Sequence, residues 1–282
     1  MILAVETYAA RKYLGEEEAF RAIKAAGFDG VDFSFYRGPD MLGEDYLENA
    51  QKTKEHLEQF GLACHQAHAP YEFRYGEEMS LENPHYLKIV RAMEYASILG
   101  AKQIIVHGLK VPGGPYSQEC YEANCAYYQS FAPYCRKFGI RIAVENLITT
   151  IFPRPELLNR VMAALDPGCF VTCMDLGHAL VAGMATQDYL AGLTPGILKA
   201  LHIHDNDGSS DQHRLPHLGN VNWEAVMEGL AAYGYSGDFT MELTGYLGCF
   251  PPRLLPQALT LAAAVGRDLM QQFTDARRAR AQ

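Results

Sequence analysis

Short apolar runs that stop abruptly at an acid or an imidazole recur along this chain. Gln103-Ile104-Ile105-Val106 runs into His107, Arg141-Ile142-Ala143-Val144 into Glu145, and Phe170-Val171-Thr172-Cys173-Met174 into Asp175. Ile197-Leu198-Lys199-Ala200-Leu201 runs into His202-Ile203-His204, and Phe239-Thr240-Met241 into Glu242. Runs this short and this apolar read as strands buried on both faces. Between them lie segments of helical length and spacing, roughly 16–26, 43–60, 84–99, 117–138, 155–165, 178–190 with a break near Gly183, 223–233 and 253–273. Five of the joints share one signature: a helical pattern ends in Gly27, Gly61, Gly100, Gly139 or Gly234, and a β-rich run follows. Glycine just past a helix relieves the left-handed residue that ends many helices.

Counting the runs near 2–5, 31–33, 62–65, 103–106, 141–144, 170–174, 198–203 and 239–241 gives eight strands alternating with helices. Such alternation builds either a doubly wound sheet or a closed barrel. In an open sheet the functional residues gather where strand order reverses, whereas a barrel brings every strand end to one rim. Here polar residues follow at least six of the eight runs, so the expected fold is α/β, a single (β/α)8 TIM barrel. One domain is expected over residues 1–282, with a short basic tail from about 275 that frays.

Composition narrows the function. The 282 residues carry a net charge of −9, which disfavours a nucleic-acid partner, since such binding runs on Lys and Arg displacing counterions. Seven cysteines, an odd number without a Cys-x-x-Cys pair, fit a reduced cytoplasmic protein. The start lacks the basic and apolar regions of a signal peptide, and no window is long and apolar enough for a membrane span. No glycine-rich phosphate loop follows any strand, so no nucleotide cofactor is expected. The expected partner is a small molecule, with room left for a homo-oligomer.

Glu145, Asp175, His204 and Glu242 end the fifth to eighth runs. Each alone reads as a strand-end residue capping the next helix, and Asp175 is a favoured cap type. Converging together without a cation they would repel and be left desolvated, so they are expected to hold one divalent metal ion. A mixed oxygen and imidazole shell suits Mn²⁺ or Zn²⁺ best, with Mg²⁺ or Co²⁺ as alternatives. A second set comprises His68, His107, His178, Asp211, His213 and Arg214, which would bind substrate or further metal. His202, two residues before His204, is expected lower in the barrel, behind the ligands. Phe73, Tyr75 and Tyr116 are candidates to wall a pocket, and Arg74, Lys110 and Arg214 are the visible candidates to grip a phosphate.

Ala143-Val144-Glu145-Asn146, Cys173-Met174-Asp175-Leu176-Gly177-His178, His202-Ile203-His204-Asp205, Asp211-Gln212-His213-Arg214 and Met241-Glu242-Leu243, taken in this order, resemble the xylose isomerase-like TIM-barrel superfamily. That group joins sugar and sugar-phosphate isomerases and epimerases to endonuclease IV-type DNA repair enzymes. The resemblance implies metal ligands at Glu145, Asp175, His204 and Glu242. In its epimerase branch it further implies proton exchange by Glu145 and Glu242, with His178 on the substrate. Its repair branch implies further zinc ligands at His68, His107, His178, Asp211 and His213, all present here. The acidic and aromatic loops beyond the strands favour a sugar over DNA. The expected function is a metal-dependent sugar or sugar-phosphate isomerase or epimerase working through an enediolate. An endonuclease IV-like nuclease, an inosose or sugar-acid dehydratase, and a metal-binding barrel without activity are the alternatives.

Overall fold

A computed structural model describes residues 1–36 and 41–281. The strands are β1 (Leu3–Glu6), β2 (Gly30–Ser34), β3 (Ala63–His68), β4 (Gln103–Val106), β5 (Arg141–Glu145), β6 (Phe170–Asp175), β7 (Leu198–His202) and β8 (Phe239–Met241). All are parallel and lie in the order β7-β6-β5-β4-β3-β2-β1-β8. The two ends of this order meet through a parallel bridge from Ile203, just past β7, to Met241 of β8. Ile203 N–H donates to the Thr240 carbonyl at 2.8 Å, and Glu242 N–H donates to the Ile203 carbonyl at 3.0 Å. The sheet therefore closes on itself as the (β/α)8 barrel that the alternating pattern implied.

The helices are α1 (Tyr8–Leu14), α2 (Glu16–Ala26), α3 (Tyr46–Phe60), α4 (Pro84–Leu99), α5 (Gln118–Ser130), α6 (Ala132–Phe138), α7 (Pro155–Met162), α8 (Leu176–Val181), α9 (Thr186–Gly192), α10 (Trp223–Tyr233), α11 (Thr244–Gly248) and α12 (Leu255–Arg280). Each glycine joint ends its helix left-handed, Gly27 at φ 100° and Gly100 at φ 93° among them. The structure adds the short helices α1 and α11, which the pattern did not suggest, and departs from the sequence reading in two further features. The segment 117–138 divides into α5 and α6 at Phe131, because Pro133 has no N–H with which to continue the ladder. The last helix runs on to Arg280, through the stretch expected to fray. No helix among the described residues is long and apolar enough to cross a membrane.

Alternation of side chains along each strand produces two cores. Outward residues such as Leu3, Val31, Ile104, Ile142, Leu201 and Phe239 join the helices in one large apolar layer. Inward, the barrel holds a small plug of Ile105, Ala143, Val171, Cys173 and Ala200. Above that plug, toward the C-terminal ends of the strands, the interior turns polar, with Asp32, Gln66, His68, Glu145, Asp175, His202 and Glu242 all buried.

The loop from β7 to α10 is fixed to this rim by one carboxylate. Asp205 Oδ1 accepts from the backbone N–H of Asn206 (2.9 Å) and Val221 (3.1 Å). Its Oδ2 accepts from His217 N–H (3.0 Å) and the Trp223 indole (2.9 Å), and its backbone pairs both ways with Arg214. Removing the carboxylate leaves several buried donors without partners, each costing about 1–3 kcal/mol. Asp205→Ala is expected to lower unfolding stability by about 3 kcal/mol or more, read from denaturant midpoints. A loss below about 1 kcal/mol would show that the loop does not hang on this residue.

Candidate active site

At the floor of the rim one imidazole is surrounded by carboxylates. His202 Nδ1 lies 2.6 Å from Glu145 Oε1 and 3.2 Å from Glu242 Oε2, and its Nε2 lies 3.0 Å from Asp32 Oδ2. The residue is wholly buried. Burial alone would strip its proton, but the carboxylates of Glu242, Glu145 and Asp32 outweigh that and hold its pKa well above the ordinary histidine value. Burial would likewise raise Glu145, yet His202 and His107 bring its pKa well below the usual carboxylate range. The sequence places His202 behind the ligands, and its Nε2 faces Asp32 of β2. Its other face, however, stands at the centre of the acids.

Asp175 shows that capping and site chemistry are compatible in one side chain. Its Oδ1 accepts from His178 N–H at 2.7 Å, capping α8, while its Oδ2 lies 2.9 Å from His204 Nε2. Asn146 grips the Asp175 backbone from both sides, at 2.8 and 3.0 Å. Gly177 is required for this packing, since a Cβ there would come within 2.2 Å of His204 Cε1.

The predicted residues gather into donor groups that touch one another. Ligand atoms of Glu145, Asp175, His202 and Glu242 lie mutually within 4.8 Å, as do those of His68, His107 and Glu145, and those of His178, His204, Asp211 and His213. His204 therefore stands between Asp175 and the third group, while His202 is the imidazole closest to Glu145 and Glu242. Within the third group Asp211 Oδ2 lies 3.3 Å from His178 Nε2 and 2.9 Å from His213 Nε2. Burial would lower both imidazoles, but Asp175 with Asp211 raises His178 well above its ordinary value, and Glu242 with Asp211 raises His213 to about 9. His68 goes the other way: burial, then the neighbouring His107, pushes it down to about 3, so it is neutral at physiological pH.

The donor set fits a divalent cation. Glu145 Oε2 is buried without a hydrogen bond; His107 Nε2 lies 3.0 Å away, but off the line such a bond needs. His204 Nδ1 and Asp32 Oδ1 are similarly orphaned. Among the described residues these buried oxygens lack a hydrogen bond, and they are positions that a cation would complete.

These groups open into a cavity of about 460 Å³. Its walls include Tyr8, Tyr36, Tyr71, Leu147, Ile148 and Thr150, and Tyr36 donates to Glu242 Oε1 at 3.2 Å. Arg214 is not brought to it: the guanidinium is tied to Asp207 (3.2 Å) and the Leu218 carbonyl (3.3 Å) on the outside of the loop. The aromatic wall also differs from expectation. Phe73 is buried against Tyr127, Tyr75 donates to Glu119, and Tyr116 is exposed, whereas Tyr8, Tyr36 and Tyr71 face the site. Glu6, at the end of β1, and Asp32, within β2, are further buried acids that the sequence reading passed over.

A closed parallel barrel with acids and imidazoles converging on its C-terminal rim defines a class of site in which widely separated strands supply one centre. The chain belongs to the xylose isomerase-like TIM barrel family, whose profile matches residues 20–269. An uncharacterised protein of Methanocaldococcus jannaschii is 28% identical over 158 residues, covering 54% of this chain and 54% of that relative, about half its length. Fructoselysine 3-epimerase of Escherichia coli is 24% identical over 250 residues, covering 84% of this chain and 88% of the relative. The crystal structure of a D-tagatose 3-epimerase-like protein shares the fold with a TM-score of 0.76 at 20% identity, over 100% of both chains.

Metal uptake by this site is expected to depend on pH. His178, His202 and His213 hold protons in the metal-free protein, and an imidazole must lose its proton before it can ligate. Each proton displaced changes apparent affinity about tenfold per pH unit. Affinity for Mn²⁺ or Zn²⁺ should therefore rise steadily between about pH 6 and about pH 8, with proton release visible by calorimetry in buffers of different ionisation heat. A flat profile without proton release would remove these imidazoles from the ligand set.

Proposed function

We propose that this protein is a divalent-metal-dependent isomerase or epimerase of a small carbohydrate, moving a proton on a carbon next to a carbonyl. The observation that carries the reading is the pair Glu145 and Glu242, held by one imidazole at the floor of a tyrosine-walled cavity of a size suited to a small molecule. Similarity to fructoselysine 3-epimerase and to the D-tagatose 3-epimerase-like structure supports it.

Glu145, Asp175 and Glu242, with His202 or His204, are the residues that would hold the metal. Bound there, the ion would act as a Lewis acid that lowers the cost of carbanion formation beside the carbonyl. The protein's own groups supply the rest. Glu145, kept ionised by His202 and His107, is suited to remove the substrate proton, and Glu242 to return it. Epimerisation uses both carboxylates, one on each face of the carbon; a 1,2-shift uses one on a single face. Tyr36 donates to Oε1 of Glu242 and His202 Nδ1 lies 3.2 Å from Oε2, so both oxygens of this carboxylate are oriented from within the site. His178 is anchored by the Asn146 carbonyl at 2.8 Å and its Nε2 lies 3.3 Å from Asp211 Oδ2, so it is the His178–Asp211 pair that the site would present to a substrate hydroxyl.

The donor groups also contain every residue that the DNA-repair branch would require. Against that reading stand the cavity lining, which has no Lys or Arg among the described residues, and the turned-away Arg214. Free cysteines and the negative net charge fit a cytoplasmic enzyme in our reading.

Solvent deuterium should enter one or more ketoses in a panel. Glu145→Gln and Glu242→Gln are each expected to lower exchange by about a hundredfold or more, with metal content measured in parallel. Full exchange in either variant with metal retained would refute the two-carboxylate scheme. Cleavage of abasic-site DNA without exchange into any sugar would establish the repair activity instead.

A further inference from the structure

Beside the active-site cavity lies a second cavity of about 680 Å³, and Tyr8 and Tyr36 belong to the walls of both. Their chemistry differs. The first is lined by carboxylates and imidazoles, while the second is lined by Arg11, Lys12, Lys52 and His56. Glu16 is the acid in this lining among the described residues, and it is neutralised from within. Its Oε2 lies 3.2 Å from Arg11 Nη2, and its Oε1 lies 3.0 Å from His56 Nδ1.

Three cations around one hollow stand out in a chain with a net charge of −9. Arg11 is held rigidly, with Nη1 donating to the Ser34 carbonyl at 3.0 Å and the guanidinium stacked 4.2 Å over Phe33. Its Nε is buried and has no partner. Lys12 lies over the rings of Tyr8 and Tyr13, and Lys52 is exposed with no ion pair among the described residues. The basic residues anticipated from sequence, Arg74, Lys110 and Arg214, line neither cavity.

We propose that this second cavity is a subsite for an oxyanion, a phosphate or a carboxylate that the substrate carries several bonds from its reacting carbon. Tyr36 marks the boundary: its hydroxyl contacts Glu242 on the catalytic side, and its ring walls the basic side. A ligand spanning both would place a polyhydroxy carbonyl end among the metal ligands and an anionic end among Arg11, Lys12 and Lys52. Guanidinium and ammonium donors of this kind are what phosphate and carboxylate recognition uses. The identity of the reacting end rests on the isomerase reading above; the anion subsite rests on the basic cavity alone.

The test uses the metal-loaded full chain with D-fructose, D-fructose 6-phosphate and 5-keto-D-gluconate, following solvent-deuterium incorporation. An anionic ketose is expected to exceed the neutral one by about tenfold or more in kcat/KM, carried mainly in KM. Whether the phosphate or the carboxylate gains more names the source of the anion. Lys52→Glu and Lys12→Glu should each cut that ratio about tenfold, while Lys54→Glu, a charge reversal outside the cavity, should leave it in place. A ratio near one in the parent, or a ratio that neither cavity variant changes, overturns the proposal. If no ketose exchanges a proton, the isomerase reading fails and the subsite is judged by calorimetric binding of inorganic phosphate. Binding that Lys52→Glu weakens upholds the subsite, and absent or unaffected binding sinks it.

Discussion

Everything at the top of this barrel depends on keeping charge buried without leaving it alone. Glu6, Asp32, Glu145, Asp175 and Glu242 are each no more than 5% exposed, and an isolated carboxylate in such surroundings would either take up a proton or unfold the rim. His202 is the group that prevents this, since both its nitrogens face carboxylates and it thereby ties β2, β5 and β8 to β7. Glu6 lies outside its reach and takes the other course. Burial and the charge of Glu242 push its pKa well above the usual carboxylate range, and it shares its proton-accepting oxygen with Ser34 and the Tyr8 N–H. One layer of the barrel thus holds carboxylates kept charged, Glu145 on β5 and Asp175 on β6, and a carboxylic acid kept neutral, Glu6 on β1.

How much of this could be read from sequence follows from where each side chain departs from its strand. The last four strands end in a lone acid or imidazole after an apolar run, and a side chain at that position points inward at the rim, so Glu145, Asp175, His204 and Glu242 stand out. Glu6 and Asp32 occupy equivalent places, but Glu6 leads into a short helix that the pattern did not suggest, and Asp32 sits within its strand before Phe33 and Ser34. The tyrosine wall was out of reach for a different reason. Tyr8, Tyr36 and Tyr71 lie on α1 or in the segments beyond β2 and β3, where aromatic residues are equally at home as anchors. Periodicity cannot separate the two roles, and Phe73 took the one that Tyr71 was free of. The distinction between His202 and His204 was equally hidden, because both face inward and only the tilt of the strand decides which reaches the acids.

Retention of every donor that the repair branch needs makes the ligand list a poor guide to reaction class. Shape and charge around the ligands separate the alternatives better. Duplex DNA needs an open, positively charged approach, and the arginine nearest the third donor group is folded back on Asp207, whose own carboxylate also binds Gln212 and Ser209. Asp207 of the β7–α10 loop thus consumes that cation internally, and the cavity lining has no Lys or Arg among the described residues.

Positive charge has not been removed from the protein's approach to the site; it has been moved to one side. Arg11 and Lys12 lie on α1, the helix that begins two residues after Glu6, and Lys52 lies on α3 opposite. The strand that delivers the neutral acid to the centre therefore also delivers cations to its flank, a few residues further along the same turn. A field arranged in this way would draw an anionic group toward α1 and away from the carboxylates, which repel like charge. On the proposed reading, a substrate whose anion lay on one side of Tyr36 and whose carbonyl lay on the other would be oriented by charge without bringing that anion against Glu145 and Glu242.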